Sequence, residues 1–262
     1  MDNLLADLPL WAVMAVIIVG LTAFAVGLQA VIRRWIPEIQ TRRHNDVAGF
    51  LAAVIGVIYA VTVGFIIAEQ WDNFTDAKER TYREAFSLGA IAEGSSVLGP
   101  AQQAKYTEAV LTYNRAVLHW WPKQGHSETE AQTRDAQTLE PLYTLVGQAQ
   151  PASEAQRAFV QETTAELGQV ARDREDRLHR AGQAHLEWPL WVLIAFASAV
   201  VLVFCALFGL ETRWLHYTMI TGVAFAVASN LMLVVLLNHP LSGALRVSPD
   251  SYASVVEDLS TG

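Results

Sequence analysis

The chain has 262 residues, is 52% hydrophobic with a mean hydropathy of +0.25, and carries a formal net charge of −8 with a sequence pI near 5.3. An acidic chain without a basic domain cannot displace counterions from phosphates, which excludes a nucleic-acid partner. One cysteine, Cys205, excludes an intrachain disulfide.

Four stretches account for the apolar excess: residues 10–32, 47–68, 190–210 and 217–237. None contains Asp, Glu, Lys or Arg. About 20 apolar residues cross a bilayer core of roughly 30 Å as a helix, so four transmembrane helices are predicted. The first stretch is too long for a signal peptide and has no Lys or Arg before it.

The loop at 33–46 holds Arg33, Arg34, Arg42 and Arg43, whereas the N-terminal tail holds Asp2 and Asp7 and no basic residue. Short basic loops stay in the cytoplasm. This puts the loops at 33–46 and 211–216 on the cytoplasmic side of the cytoplasmic membrane, with both termini and the long middle segment outside it. The 12 basic and 17 acidic residues of 72–188 do not oppose this, because long loops translocate largely regardless of charge. Trp11, Trp71, Trp188 and Trp191 fall at one predicted interface, and Trp35 and Trp214 at the other. Trp120 and Trp121 lie far from any span and are assigned to a core in the middle segment.

The second span is the most informative. Gly56, Ala60, Gly64 and Ala68 repeat every four residues, and Gly49 and Ala53 extend the row. Such rows let helix backbones approach closely in a membrane. Other sides carry Phe50, Val54, Ile58, Val61 and Phe65. One reading is tight packing within a monomer or between subunits. The other is a pore, with Val54, Ile58, Val61 and Phe65 forming a constriction that gates by dewetting. Glu69 and Asp72 either mark the interface or form an acidic ring at a pore mouth. Asn230, mid-span in the fourth helix, calls for a hydrogen bond to another helix or, less simply, an ion pathway.

The helix of the second span has no break before Gly94. Trp71, Phe74, Lys78, Tyr82, Ala85, Leu88 and Ala92 recur at helical spacing, and "LGP" at 98–100 ends the run. Residues 69–98 then extend about 45 Å beyond the bilayer. A second helix is predicted at about 101–121, with Tyr106, Val110, Tyr113, Val117 and Trp120 on one side. A third opens at a capping box of Ser127 and Glu130 and carries Leu139, Leu142 and Leu145, with a kink at Pro141. A fourth starts at Pro151–Ser153–Gln156, carries Phe159, Thr163, Leu167, Val170 and Leu178, and runs to the membrane. In RDREDRLHR (172–180), Asp173 with Arg177 and Asp176 with Arg180 stand four apart, as on a solvated helix face; lipid or ligand binding by these arginines is the alternative.

The prediction is an all-α polytopic membrane protein: a first transmembrane hairpin (1–68), an extramembrane helical bundle (69–188), a second hairpin (189–238) and a C-terminal tail (239–262). Pro240 ends the last span and Gly243 permits a turn. No HExxH, P-loop, GxGxxG or GxSxG is present. No catalytic, metal or cofactor site is predicted.

Three segments, NDVAGFLAAVIGVIYAVTVGFIIAEQWDNFTDAKERTYREAFSL (45–88), DRLHRA leading into PLWVLIAF (176–196), and HPLSGALRVSP (239–249), together resemble the bacterial bestrophin-like family. The resemblance implies four spans, a helical insert between spans two and three, and a Pro-Phe-Ser-Gly motif, matched here at Pro240, Ser242 and Gly243. The Asp-Arg-Pro-Phe expected there is replaced by Asn238, His239, Pro240 and Leu241. Kinship with bestrophins implies a homo-oligomeric (pentameric) anion channel in the lipid bilayer, with its large helical region in the cytoplasm, opposite to the orientation the loop charges give. The alternative is a non-conducting membrane protein whose helical bundle binds a partner or ligand; signalling would then need a partner membrane protein.

Overall fold

The computed structural model describes residues 10–35, 45–123, 137–181, 186–207, 212–241 and 245–261. The described residues form helices: α1 (Leu10–Trp35), α2 (Asn45–Gly94), α3 (Pro100–Trp120), α4 (Glu140–Gly147), α5 (Glu154–Ala181), α6 (Trp188–Leu207), α7 (Arg213–Leu237) and α8 (Asp250–Thr261), with single 3-10 turns at Ser95–Leu98 and Trp121–Lys123. Four of them, α1, α2, α6 and α7, contain stretches long and apolar enough to cross a membrane. The chain divides into two compact units. One comprises Met1–Asp72 and His185–Asn238, the other Asn73–Ala184 and His239–Gly262.

In the first unit α1 lies along α7, and α6 joins both. Their shared core includes Ala25, Ile32, Ile194, Leu202, Ile220 and Ala224. The second span joins this core through Tyr59 and Val63, with Ile55, Ile66 and Ile67 partly buried beside them. Asn238 Oδ1 accepts a hydrogen bond from Leu186 N at 2.8 Å, tying the end of α7 to the entry of α6. Asn238 therefore supplies an acceptor oxygen where the family pattern led us to expect an aspartate.

In the second unit, residues Asn73–Gly94 of α2 run antiparallel to α5. The pairing is visible in the numbers: Arg80 meets Asp176, Arg83 meets Asp173 and Ser87 meets Glu166. Small residues allow the approach, and a Cβ on Gly94 would stand 3.2 Å from the Phe159 ring. The core face of α2 is Ala77, Ala85, Leu88, Ile91 and Ala92, with Phe74 partly buried. Lys78 and Tyr82, expected on this face, are exposed, and Tyr82 instead stacks on Phe86 at 5.9 Å. α2 ends at Gly94 and passes through the 3-10 turn Ser95–Leu98 to Gly99, which takes φ +92°, a conformation costly for any residue with a Cβ, before Pro100 opens α3.

α3 buries Tyr106, Val110, Tyr113 and Val117, and its stripe is closed by Trp121, while Trp120 is half-buried. Pro141 does not kink a helix. It stands in the first turn of α4, where its missing N–H has no intrahelical acceptor to lose. The Ser127–Glu130 capping box lies outside the described residues. The start of α5 is capped as its sequence implies: Gln156 N donates to Ser153 Oγ at 3.2 Å, and Ala152 N donates to Gln156 Oε1 at 2.8 Å. Phe159, Thr163, Leu167, Val170 and Leu178 are all buried.

The tail folds back onto the second unit. Val247 N donates to Pro240 O at 2.8 Å, and Trp121 Nε1 donates to Val247 O at 3.2 Å. Leu241, Val247 and Tyr252 enter the core, and Val255 packs on Gly89.

Candidate functional site

Two places stand out, one in each unit. The first is the membrane-spanning part of α2, where a turn of roughly 100° per residue separates three faces. Tyr59 and Val63 are buried among the chain's other spans, as is Gln70 at the span's end. About 140° away, Val54, Ile58, Val61 and Phe65 form one stripe, and all four are exposed; Phe65 is 72% and Ile58 61% exposed. Between these faces runs the row of small residues. Ala53, Ala60, Gly64 and Ala68 are exposed, while Gly49 and Gly56 are half-buried. A Cβ built on Gly56 or Gly64 meets nothing within 4 Å. Among the described residues, then, nothing stands close against the Cα of either glycine. Thr62 Oγ1 spends its hydrogen on Ile58 O at 2.9 Å.

Glu69 and Asp72 are both exposed at the end of the span, Asp72 in line with the bulky stripe. Asn230 is half-buried in α7 and makes no side-chain hydrogen bond among the described residues. Pro240 is buried in the tail turn; Ser242 and Gly243 lie outside the described residues. The sequence reading missed the polar contact inside the first unit. His216, counted there with a loop, sits in the first turn of α7, and Gln29 Nε2 lies 2.9 Å from its Nδ1, both side chains buried.

The second place is a polar centre in the bundle of the second unit. Glu84 of α2 is fully buried, and Arg177 of α5 is 4% exposed. Arg177 donates from Nε to Glu84 Oε2 at 3.0 Å and from Nη2 to Glu84 Oε1 at 2.9 Å, a planar two-pronged pair. The Tyr113 hydroxyl donates to Glu84 Oε1 at 2.6 Å, and Gln137 Oε1 accepts from Arg177 Nη2 at 2.9 Å. The Trp121 and Tyr252 rings lie 5.9 and 5.8 Å from the guanidinium carbon. Burial acts to lower the pKa of Arg177, but Glu84, together with the Tyr252 and Tyr113 phenols, more than offsets this and holds it well above the ordinary value. Burial and then the Glu84 carboxylate push the Tyr113 phenol well above its usual range. The site is a closed, charge-balanced clamp.

Asp173, Asp176 and Arg177 thus find their charged partners on α2. Asp173 is buried and takes Arg83 Nε at 2.9 Å and Gln169 Nε2 at 3.1 Å, and Asp176 takes Arg80. The partners on α2 win because burial between two helices strengthens a pair that solvent would screen along one. The signal was present in the sequence. Arg177 falls on the Thr163–Leu167–Val170 stripe, and Glu84 falls between Ala77 and Leu88 on the core face.

An open groove of about 750 Å³ lies between α2, α3 and α8, with Glu93, Glu108, Arg115 and Asp258 among its polar lining. Among the described residues no cluster of His, Cys, Asp or Glu is arranged to hold a metal ion.

The bestrophin-like domain model matches residues 19–252. Among solved structures, a point variant of a bacterial bestrophin homolog from Klebsiella pneumoniae superposes with a TM-score of 0.68 at 12% identity, covering 92% of this chain and 98% of that one. A second variant of that homolog gives 0.63 at 14% identity, with 93% and 98% covered. A structure described as a membrane protein gives 0.62 at 14%, with 92% and 96% covered. At these identities the likeness is one of fold. No curated protein matches the chain.

Replacing Arg177 with Met strands the Glu84 carboxylate in the core. Removing one partner of a buried pair costs about 3–5 kcal/mol. Urea unfolding of the detergent-solubilised chain is expected to show that loss, with much of it recovered when Glu84 is also changed to Met; an Arg177→Met chain as stable as its parent contradicts the clamp.

Proposed function

The chain belongs to the bestrophin-like family, and we propose that it assembles as a ring of identical copies around an ion-conducting pore lined by α2. The observation that carries this is the three-faced span. A helix in a ring presents one side to its own chain, one to the axis and its flanks to neighbouring copies. Tyr59 and Val63 suit the first role, and Val54, Ile58, Val61 and Phe65 the second. The small-residue row lies on a flank, where a neighbour's backbone can come close. A ring of bulky apolar side chains at the axis makes a constriction that water leaves readily, which is how a hydrophobic gate closes.

Kinship with bestrophins favours an anion as the permeant ion, whereas Glu69 and Asp72 favour cations at the mouth. The reversal potential under a salt gradient decides between them. The loop charges favour a bundle outside the cytoplasm. The non-conducting alternative draws its support from the open groove of the second unit, which has the size of a small-ligand site.

Proteoliposomes are expected to pass ions, and Phe65→Ala or Ile58→Ala is expected to raise the flux several-fold by widening the constriction. Protein-dependent flux absent at every pH and voltage, in vesicles where the protein is folded, rules out the channel. Protease added to intact spheroplasts is expected to cut within the segment 72–188; protection there, with cleavage in inverted vesicles, reverses the orientation.

A further inference from the structure

The Glu84–Arg177 pair is itself satisfied, but it leaves polar atoms beside it without partners. Glu84 accepts two hydrogen bonds from Arg177 and one from Tyr113, so the pair is neutral and satisfied. Around it, two buried donors have no hydrogen-bond partner, Arg177 Nη1 and Gln137 Nε2; the Tyr252 hydroxyl, beside the Glu84 carboxylate, has its oxygen left without a donor. All three residues are at least nine-tenths buried. They are also neighbours. Gln137 is held to Arg177 Nη2 at 2.9 Å through its own Oε1, and the Tyr252 ring centre lies 5.8 Å from the guanidinium carbon. A buried polar atom left without a partner is costly, and here two donors and a hydroxyl oxygen share that condition in one place.

The chemistry limits what can answer them. An anion would add uncompensated charge beside the Glu84 carboxylate, and a cation would face donor hydrogens. A neutral group that accepts twice and donates onward fits, and the smallest is water, which when buried makes about three hydrogen bonds to such groups. We propose that Arg177 Nη1 and Gln137 Nε2 donate to one internal water molecule, which donates in turn to the Tyr252 hydroxyl oxygen. The Tyr252 proton then remains for the Glu84 carboxylate beside it. The C-terminal helix is thereby bolted to the polar centre by a hydrogen-bonded chain as well as by apolar contact.

The test is a thermal double-mutant cycle on the full chain in detergent, using Tyr252→Phe, Gln137→Met and the double variant. With a shared water, each single change lowers Tm by about 2–4 °C and the double change costs clearly less than the sum. A Tyr252→Phe chain that is unchanged or more stable overturns the proposal, because a hydroxyl without a partner is better lost. Additive losses overturn it too, since they place Tyr252 on Glu84 alone. Should Gln137→Met fail to fold, a cryo-EM map of the unaltered chain that resolves ordered water decides: a peak within hydrogen-bond distance of both Arg177 Nη1 and the Tyr252 oxygen supports the bridge, and its absence overturns it.

Discussion

Between Asn45 and Gly94 the backbone of α2 is one helix, so it carries its hydrogen bonds with it from an apolar stretch into a polar one. Hydrocarbon leaves no other course, because a free N–H or C=O in the membrane costs several kcal/mol. Water would tolerate a break, and none occurs: the segment around Gln70–Asp76 contains neither glycine nor proline. The same helix therefore supplies the exposed stripe of the first unit and one arm of the clamp in the second. Each unit has its own way of holding it. In the first unit the hold is apolar, through Tyr59 and Val63; in the second it is polar, through Arg80, Arg83, Glu84 and Ser87.

The two kinds of contact differ in what they specify. Apolar packing in a bilayer gains little from the hydrophobic effect, because lipid tails are as apolar as the side chains they replace. Shape and small residues then decide what meets what. Where helices meet in water, apolar burial drives association, while a buried ion pair adds little net stability and constrains register. A bidentate pair such as Glu84–Arg177 admits one alignment of α2 against α5. A slip by one residue would strand both charges in the core.

Architecture was more legible in the sequence than the site. The four apolar stretches, the stop at Gly99–Pro100 and the Ser153–Gln156 cap rest on local chemistry, and local chemistry is what a sequence displays. Pro141 was misread because a proline inside a helix and one in its first turn look alike until the start is known. The charge run 172–180 was misread for a different reason. Spacing along one helix reveals pairs within it, but Asp173 and Arg177 answer residues some 90 positions away. Their place on the Thr163–Leu167–Val170 stripe was the available clue, and an arginine in an apolar stripe implies a buried acid somewhere. For the span of α2 the sequence showed which residues share a face, and only the fold showed which face the chain itself covers.

The central claim is that the stripe of Val54, Ile58, Val61 and Phe65 faces other copies of the chain rather than lipid. The sequence has one native cysteine, so a Cys205→Ser background is silent to thiol chemistry. Oxidative cross-linking of Phe65→Cys in native membranes tests the claim directly. The account predicts covalent dimers from Phe65→Cys and none from a matching Val63→Cys on the covered face. Phe65→Cys that stays monomeric while reacting with a lipid-soluble maleimide would contradict it.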